Sequence, residues 1–363
     1  KESAATAALV LKRRDVKHHD SSTNQPTPKK GQVVLDHVCK EYRTGMCNTT
    51  KTNAVANLSL NIPTGECFGL LGANGAGKTT TFKLLTGDLG VSRGGAWVGG
   101  HSIMHEMQKI HQVVGYCPQF DALFDLLTGR ETLEFFSRLQ GIPHHLIAPT
   151  VNRLIVELGF GTHQHKLTKQ YSGGTKRKLN TAIALLGDPS VVLLDEPTSG
   201  MDPVARQMLG KALLDVQEGG STIMLTSHSM EECEALCSRM GIMMQGHLRC
   251  LGSPQHLRSR FGDHFTVTFR KAIDLDTDNE SEFWQMLQLE LPGSVMKNCN
   301  VRTMQIGVPY VNTNTNVRIP LGRVFDVFRS LRAQEFIDEF SVSEATLNQV
   351  DESVCERECV CVV

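Results

Sequence analysis

The sequence has almost no net charge, because its 37 Lys and Arg residues are balanced by 38 Asp and Glu residues, for a formal charge of −1 at pH 7. A chain without a basic excess has no general electrostatic attraction for nucleic acid or anionic lipid, so we expect no nucleic-acid partner. The sequence also lacks any run of about 18 consecutive apolar residues, the length that a transmembrane helix needs. It therefore predicts no bilayer-spanning helix within these 363 residues.

The 11 cysteines are an odd number and include no C-x-x-C pair. This pattern is typical of free thiols in a reducing compartment, so we expect free cysteines and a cytosolic location. A cluster near the C-terminus, formed by Cys355, Cys359 and Cys361, is read as thiols on a flexible tail, with a metal or lipid site as the alternative. Cys361 is not at the position that a prenylation motif requires.

Composition divides the chain into four segments. Residues 1–31 read as a linker that is either simply solvated or adjoins a membrane segment, and the first residue, Lys1, predicts a piece of a longer polypeptide. Residues 32–252 alternate apolar strand-like runs with helical patterns, which predicts an α/β domain with a mostly parallel sheet. Residues 253–342 follow a β-α-β-β-α-β order that predicts a ferredoxin-like α+β domain, and residues 343–363 form a tail.

The strongest motif is the segment GANGAGKT at residues 72–79, which has the pattern G-x-x-x-x-G-K-T between an apolar strand and a predicted helix. This is the phosphate-binding loop of P-loop NTPases, in which backbone N–H groups and the helix N-terminus face phosphate oxygens. Lys78 adds a positive charge, and the Thr79 hydroxyl can bind Mg²⁺. The residues predicted to contact the nucleotide here are Gly72, Ala73, Asn74, Gly75, Ala76, Gly77, Lys78, Thr79 and Thr80.

An acidic pair, Asp195 and Glu196, follows the apolar run VVLL at residues 191–194. A carboxylate at the end of such a strand can hold Mg²⁺, and its neighbour can orient or deprotonate the attacking water. We therefore predict Asp195 as a magnesium ligand and Glu196 as the catalytic base. Without the phosphate-binding loop, the same pair would be read as a solvated turn.

Small residues also precede a predicted helix at Ser172, Gly173 and Gly174. Such a helix start presents free N–H groups and can bind a second phosphate-sized anion. Considered alone, the segment SGG would be read as a flexible turn. Its presence between the two other motifs predicts two phosphate sites in a chain with one phosphate-binding loop.

Taken together, these motifs resemble the nucleotide-binding domain of ATP-binding cassette (ABC) transporters. The resemblance implies that Gln119 reaches Mg²⁺ and the membrane domain, that His228 is the catalytic switch histidine near the γ-phosphate, and that Tyr42 stacks on adenine. It also implies a nucleotide contact from Asp202, in the loop at residues 199–202. Without the resemblance, Gln119, Tyr42 and His228 would be read as a surface amide, a packing ring and a capping or core residue.

The resemblance narrows to the second nucleotide-binding domain of the A subfamily and its C-terminal regulatory domain. Segments such as FKLLTGD at residues 82–88 and SMEECEALC at residues 229–237 carry it. Two positions depart from the subfamily pattern, Thr175 in place of Asn and the segment DES at residues 351–353 in place of Phe and an apolar run. The implied fold is a P-loop NTPase core with antiparallel β and helical subdomains, followed by the ferredoxin-like domain.

The implied function is ATP hydrolysis with Mg²⁺ at the cytosolic face of a membrane, coupled to transport by transmembrane domains outside this sequence. Because the Ser172 segment and the Lys78 loop belong to different faces, ATP is expected to lie between this chain and a second nucleotide-binding domain. Lipid is the implied cargo, contacted only by the membrane part. Two alternatives stay open, a regulatory ATP-binding module with little turnover and a soluble ABC ATPase. The C-terminal domain is either regulatory or a packing cap.

Overall fold

A computed structural model describes residues 29, 31–44, 50–261, 264–271, 277–300, 302–312, 317–334 and 336–344. Most of the predicted linker and nearly all of the tail, including its three cysteines, lie outside these residues. The chain divides into two compact units on either side of the bond from Gly252 to Ser253. Every cysteine in the described part is a free thiol, and none of the described helices is both long and apolar enough to cross a bilayer.

The first unit contains two sheets and seven α-helices within the described residues. Its strands are β1 Val33–Thr44, β2 Thr50–Ile62, β3 Cys67–Leu71, β4 Arg93–Val98, β5 His101–Ser102, β6 Val114–Cys117, β7 Val191–Asp195, β8 Thr222–Ser227, β9 Arg239–Met244 and β10 His247–Gly252. Its helices are α1 Lys78–Leu85, α2 Met107–Val113, α3 Gly129–Leu139, α4 His144–Glu157, α5 Gly173–Leu185, α6 Pro203–Glu218 and α7 Met230–Leu236.

The larger sheet has six strands in the order β10-β9-β3-β8-β7-β6. All of its neighbouring strands are parallel except β10, which pairs antiparallel with β9. The smaller sheet has the order β2-β1-β4-β5 and is antiparallel. One hydrophobic core joins side chains of both sheets and of helix α1, including Val38, Phe68 and Phe82. The predicted mixed α/β fold with parallel and antiparallel sheets is thus confirmed.

The central strands form because their sequences are apolar at successive positions. Every residue of β3, β7 and β8 is buried, as expected for parallel strands that are covered on both faces. The carboxyl ends of parallel strands meet at one edge of a sheet, and ligands of such folds bind there. The segments that follow β3, β6, β7 and β8 carry the predicted phosphate loop, Gln119, Glu196 and His228, respectively.

The second unit contains three helices and a four-stranded sheet within the described residues. Its elements are α8 Pro254–Phe261, β11 His264–Lys271, α9 Thr277–Glu290, β12 Val295–Cys299, β13 Thr303–Pro309, α10 Leu321–Ala333 and β14 Ile337–Glu344. The strands are all antiparallel, in the order β12-β13-β11-β14. A separate apolar core includes Phe269, Phe283 and Phe328. Assignment of this unit to the ferredoxin-like family stays a prediction.

Candidate nucleotide-binding site

The predicted phosphate loop connects the buried strand β3 to helix α1. Lys78, the first residue of α1, is only 5% exposed, and its Nζ donates hydrogen bonds to the carbonyls of Gly72 at 2.5 Å and Ala73 at 3.2 Å. The ammonium group therefore lies back over the loop rather than extending into solvent. This position puts a positive charge beside the backbone N–H groups at the start of α1, where a phosphate group would bind.

We expect Gly72→Ala to destabilise the protein more than Gly75→Ala. A Cβ at Gly72 would lie 2.2 Å from the backbone carbonyl of Met243, and the residue has a φ of +152°. Gly75 has a φ of +83°, but a Cβ there would meet no atom within 4 Å. The backbone clash should cost Gly72→Ala about 1–3 kcal/mol beyond the conformational strain that both variants share. Thermal unfolding of the two variants measures this difference, and equal melting temperatures would contradict it.

Asp195 ends strand β7 and is completely buried. Its Oδ1 accepts a hydrogen bond from the Thr226 hydroxyl at 2.5 Å, whereas its Oδ2 is buried without a hydrogen-bond partner. A buried carboxylate oxygen without a partner is costly, and a cation or a bound water would satisfy it. Oxygen ligands are those that Mg²⁺ prefers, so the side chain of Asp195 fits the predicted magnesium site.

Glu196 lies between two of the other predicted site residues. Its Oε2 accepts a hydrogen bond from Gln119 Nε2 at 3.3 Å and lies 3.8 Å from His228 Nδ1. The carboxylate is largely buried, whereas the side chain of His228 is 63% exposed. The structure thus brings Gln119, Glu196 and His228 together at the carboxyl edge of the sheet, with a carboxylate oxygen available as a proton acceptor.

The backbone of Glu196 has a φ of +50°, a conformation that side chains other than glycine rarely adopt. Two side chains hold it there. Thr226 Oγ1 accepts a hydrogen bond from the Glu196 N–H at 3.0 Å, and the guanidinium of Arg177 donates to the Glu196 carbonyl at 2.8 Å and 3.2 Å. Strained backbone of this kind persists only where surrounding contacts fix it, and it is concentrated at functional sites.

Arg177 is the main site residue that the sequence did not reveal. It lies on α5, is 3% exposed, and also donates to the carbonyls of Pro118, Gln119 and Asp195. One side chain on α5 therefore holds the backbone of both the Gln119 segment and the acidic pair. The sequence shows only that a charged residue lies on a helix face that is otherwise buried. Its acceptors are backbone carbonyls, which every residue carries, so no sequence motif marks them.

Ser172 caps the N-terminus of α5. Its hydroxyl accepts from the Thr175 N–H at 3.3 Å and bonds the Thr175 hydroxyl at 2.9 Å. Ser172 and Gly173 are exposed, and a Cβ at Gly174 would be in ordinary contact with Gly200. Within the described chain, the SGG segment therefore adjoins the loop at residues 199–202 and keeps an exposed face.

Asp202 caps α6, because its Oδ1 accepts from the Ala205 N–H at 2.9 Å. Pro203 follows at the first helical position, where its missing N–H costs nothing. The capping role is the one observed, and a nucleotide contact from Asp202 stays a prediction. The other carboxylate oxygen and the exposed position of the residue leave room for such a contact.

Tyr42 lies on β1, opposite Thr52 of β2, and is 38% exposed. Strand β2 adjoins the phosphate loop, because Gly246 bonds both Ala56 of β2 and Ala76 of the loop through its backbone. A cavity of about 570 Å³ is lined by Glu41, Tyr42, Ser92 and Arg93. An exposed aromatic ring on the wall of an open cavity suits stacking against a planar base, as the prediction for adenine requires.

Known proteins resemble this chain in both sequence and fold. Residues 55–199 match the family model for "ABC transporter". The chain is 46% identical over 297 residues to "Phospholipid-transporting ATPase ABCA3" of Mus musculus, which covers 82% of this chain and 17% of that protein. It is also 46% identical over 318 residues to "Phospholipid-transporting ATPase ABCA7" of Homo sapiens, covering 88% of this chain and 14% of that protein. The chain thus spans less than a fifth of the length of these relatives.

A solved structure, described as a dimeric post-hydrolysis state of the ATP-binding cassette MJ0796 bound to ADP and Pi, has the same fold. It matches with a TM-score of 0.56 at 20% identity, and the match covers 61% of this chain and 98% of that one. At this identity the likeness establishes the fold of the first unit and carries no information on individual residues.

Proposed function

We propose that this chain, which belongs to the ABC transporter family, powers lipid transport as the second nucleotide-binding domain of an A-subfamily transporter. Its ATP-binding domain is an ATPase domain whose relatives belong to that subfamily. One observation carries the proposal: Glu196 Oε2 lies between Gln119 and His228, beside the Thr226–Asp195 pair at the same sheet edge. This is the arrangement that in-line attack of water on a γ-phosphate needs.

ATP binds with its phosphates over residues 72–80 and its base against Tyr42. Lys78 contacts the β- and γ-phosphates after exchanging its hydrogen bonds to the loop carbonyls for the stronger bonds to phosphate oxygens. Mg²⁺ would be held by Thr79, Asp195 and Gln119, and when bound it supplies the positive charge that neutralises the phosphate oxygens. The partnerless Oδ2 of Asp195 supports this assignment.

In hydrolysis, Glu196 orients the attacking water and accepts its proton. Gln119 and His228 both lie beside the carboxylate oxygen that would do this, at 3.3 Å and 3.8 Å. His228 is exposed, so it can turn from Glu196 toward the γ-phosphate and stabilise the charge that develops there. Arg177 and Thr226 keep the strained backbone of Glu196 fixed during this step.

The partner in this account is a second nucleotide-binding domain. The start of α5 is exposed at Ser172 and Gly173, and the Ser172 hydroxyl accepts the N–H of Thr175 in the same helix. This helix N-terminus can therefore bind an anion that another domain presents. In the closed pair, each ATP lies between the Lys78 loop of one domain and a Ser172 segment of the other. The transmembrane partner meets the segment at residues 119–126, in which Phe120 is 81% and Leu126 75% exposed, because exposed large apolar side chains can mark contact surfaces.

We expect the Glu196→Gln variant to form a dimer when MgATP is added, because binding persists and hydrolysis no longer reopens the pair. Adding Ser172→Glu should abolish the dimer, since a carboxylate would face the γ-phosphate of the partner's ATP. Ser253→Glu is the matched control, because Ser253 also accepts a backbone bond three residues ahead, at 3.2 Å, in the second unit. Sedimentation velocity measures the three variants, and a dimer with Ser172→Glu would contradict the sandwich.

The cargo is tested with the complete transporter that contains this domain. Both named relatives are phospholipid-transporting ATPases, so we expect the reconstituted transporter to move fluorescent phospholipid between leaflets when MgATP is supplied. The Glu196→Gln variant should move none above the level without ATP. Equal lipid movement by the parent transporter and the Glu196→Gln variant would exclude lipid transport driven by this domain. That result would not bear on whether the domain hydrolyses ATP.

A further inference from the structure

The side chain of Glu232, in the first turn of α7, links two parts of the site that are distant in sequence. Its Oε2 accepts hydrogen bonds from the Thr198 hydroxyl at 2.5 Å and from the Ser227 hydroxyl at 2.8 Å. Thr198 and Ser227 are buried, and the side chain of Glu232 is only 16% exposed. Bonds from hydroxyls to a shielded carboxylate are stronger than those between neutral groups.

On one side, Glu232 holds the loop at residues 199–202. Thr198 precedes this loop, and its carbonyl accepts the Met201 N–H at 3.1 Å. Arg206 follows the loop on α6, donates from Nε to the Met201 carbonyl at 3.1 Å, and places Nη1 3.7 Å from Glu232 Oε1. The two oxygens of one carboxylate therefore contact residues on both sides of the loop that adjoins the SGG segment.

On the other side, Glu232 holds the backbone around His228. The Ser227 hydroxyl donates to Glu232, and Ser227 Oγ also accepts a hydrogen bond from the Ser229 N–H at 2.9 Å. These bonds fix both neighbours of His228, whose own side chain is exposed. The direction of the His228 ring thus depends on a serine that Glu232 orients.

We propose that Glu232 is a positioning residue for ATP hydrolysis, which couples the position of the 199–202 loop to that of His228. The inference rests on the proposed roles of that loop and of His228. Because Thr198 and Ser227 bond the same oxygen, a movement of the loop toward or away from a partner domain changes the bond that Ser227 makes. Closure of the pair is thereby transmitted to the switch histidine within the same chain.

The experiment compares Glu232→Ala with Glu231→Ala, a matched control for an exposed carboxylate on the same helix turn. Hydrogen exchange is followed by mass spectrometry in the 363-residue chain, with and without MgATP. Without nucleotide, we expect Glu232→Ala to exchange about tenfold faster than the parent at residues 197–202 and at 227–230. With MgATP, residues 72–80 should become protected from exchange in every variant. Residues 197–202 should be protected in the parent and in Glu231→Ala, but they should stay unprotected in Glu232→Ala.

A steady-state assay adds a readout that a purely structural role would not move. Glu232→Ala should lower kcat about tenfold while leaving KM for MgATP within about twofold, because the phosphate loop is untouched. Thr198→Val should lower kcat to a similar extent, whereas Thr198→Ser, which keeps the hydroxyl, should have a kcat near that of the parent. This pair also answers the question if Glu232→Ala does not fold.

The outcomes separate the inference from the proposed function. The role of Glu232 would be overturned if Glu232→Ala and Thr198→Val both had a parental kcat and parental exchange at both segments. The proposed nucleotide site would not be contradicted by that result. Absence of MgATP protection at residues 72–80 in the parent would overturn the proposed function, and the inference with it. An equal effect of Glu231→Ala would show a general loss of helix charge and would also overturn the inference.

Discussion

Replacing Glu196 with Gln is expected to lower the rate of ATP hydrolysis about 10²- to 10⁴-fold, the usual cost of losing a general base. The amide keeps the size of the side chain and can retain a hydrogen bond with Gln119, which now lies 3.3 Å from Oε2. It cannot accept the proton of the attacking water. Phosphate release under saturating MgATP measures the effect, and the binding of MgATP should stay within about threefold of the parent because the phosphate loop is unchanged.

Glu231→Gln is the control for this variant, because it makes the same chemical change at an exposed position of α7. It should hydrolyse ATP at the parental rate. If Glu196→Gln also turned over at the parental rate, the catalytic assignment would be wrong. If the parent itself bound ATP without measurable turnover, the domain would instead be a regulatory ATP-binding module.

Replacing Lys78 with Ala is expected to weaken MgATP binding about 10- to 100-fold, because a hydrogen bond to a charged group contributes about 1.5–3 kcal/mol. The loss includes the positive charge opposite the phosphates. The carbonyls of Gly72 and Ala73, which now accept from Lys78, would also lose their donor. Titration with a fluorescent ATP analogue in the presence of Mg²⁺ measures the change in dissociation constant.

Lys83→Ala provides the comparison for Lys78→Ala, since Lys83 lies on the same helix and is exposed. Its dissociation constant should match that of the parent. A parental affinity in Lys78→Ala, or an equal loss in both variants, would mean that the loop at residues 72–79 is not the phosphate site.

Much of the first unit follows from local sequence. Thr128 and Glu131 predict a capping box, and the structure contains it, with the Thr128 hydroxyl accepting the Glu131 N–H and the Glu131 carboxylate accepting the Thr128 N–H. The pKa of this carboxylate is lowered by the two hydrogen bonds that it accepts, from the Thr128 N–H at 2.8 Å and from the Thr128 hydroxyl at 2.9 Å. Local signals of this kind predict where helices begin because capping partners lie three residues apart.

The contacts that fix the geometry of the candidate site could not be predicted in this way. Arg177 reaches carbonyls 18 to 59 positions away in the sequence, and Thr226 bonds Glu196 across 30 positions. Glu232 meets Thr198 across 34 positions. Each of these contacts depends on the order of the strands, which apolar runs do not specify. The motifs indicate which groups react, and tertiary packing determines how they are held.

The register of the smaller sheet shows the same limit. Strands β1 and β2 pair with three register shifts, near Val38, Lys40 and Glu41. The first shift inserts an extra residue on β1 between Leu35 and Val38 and so interrupts the alternation of its side chains, whereas the other two insert residues on β2. The alternation pattern of β1 alone therefore does not place Tyr42. Its assignment to adenine came from resemblance, and the cavity beside it now supports that assignment.

The central claim is that the loop at residues 72–80 binds the triphosphate of ATP, and equilibrium titration of the parent chain with labelled ATP and Mg²⁺ tests it most directly. We predict saturable binding at one nucleotide per chain, competed by unlabelled ATP and ADP and not by adenosine, because the phosphates supply most of the contacts. Binding that does not saturate, or that adenosine displaces as readily as ATP, would contradict the account.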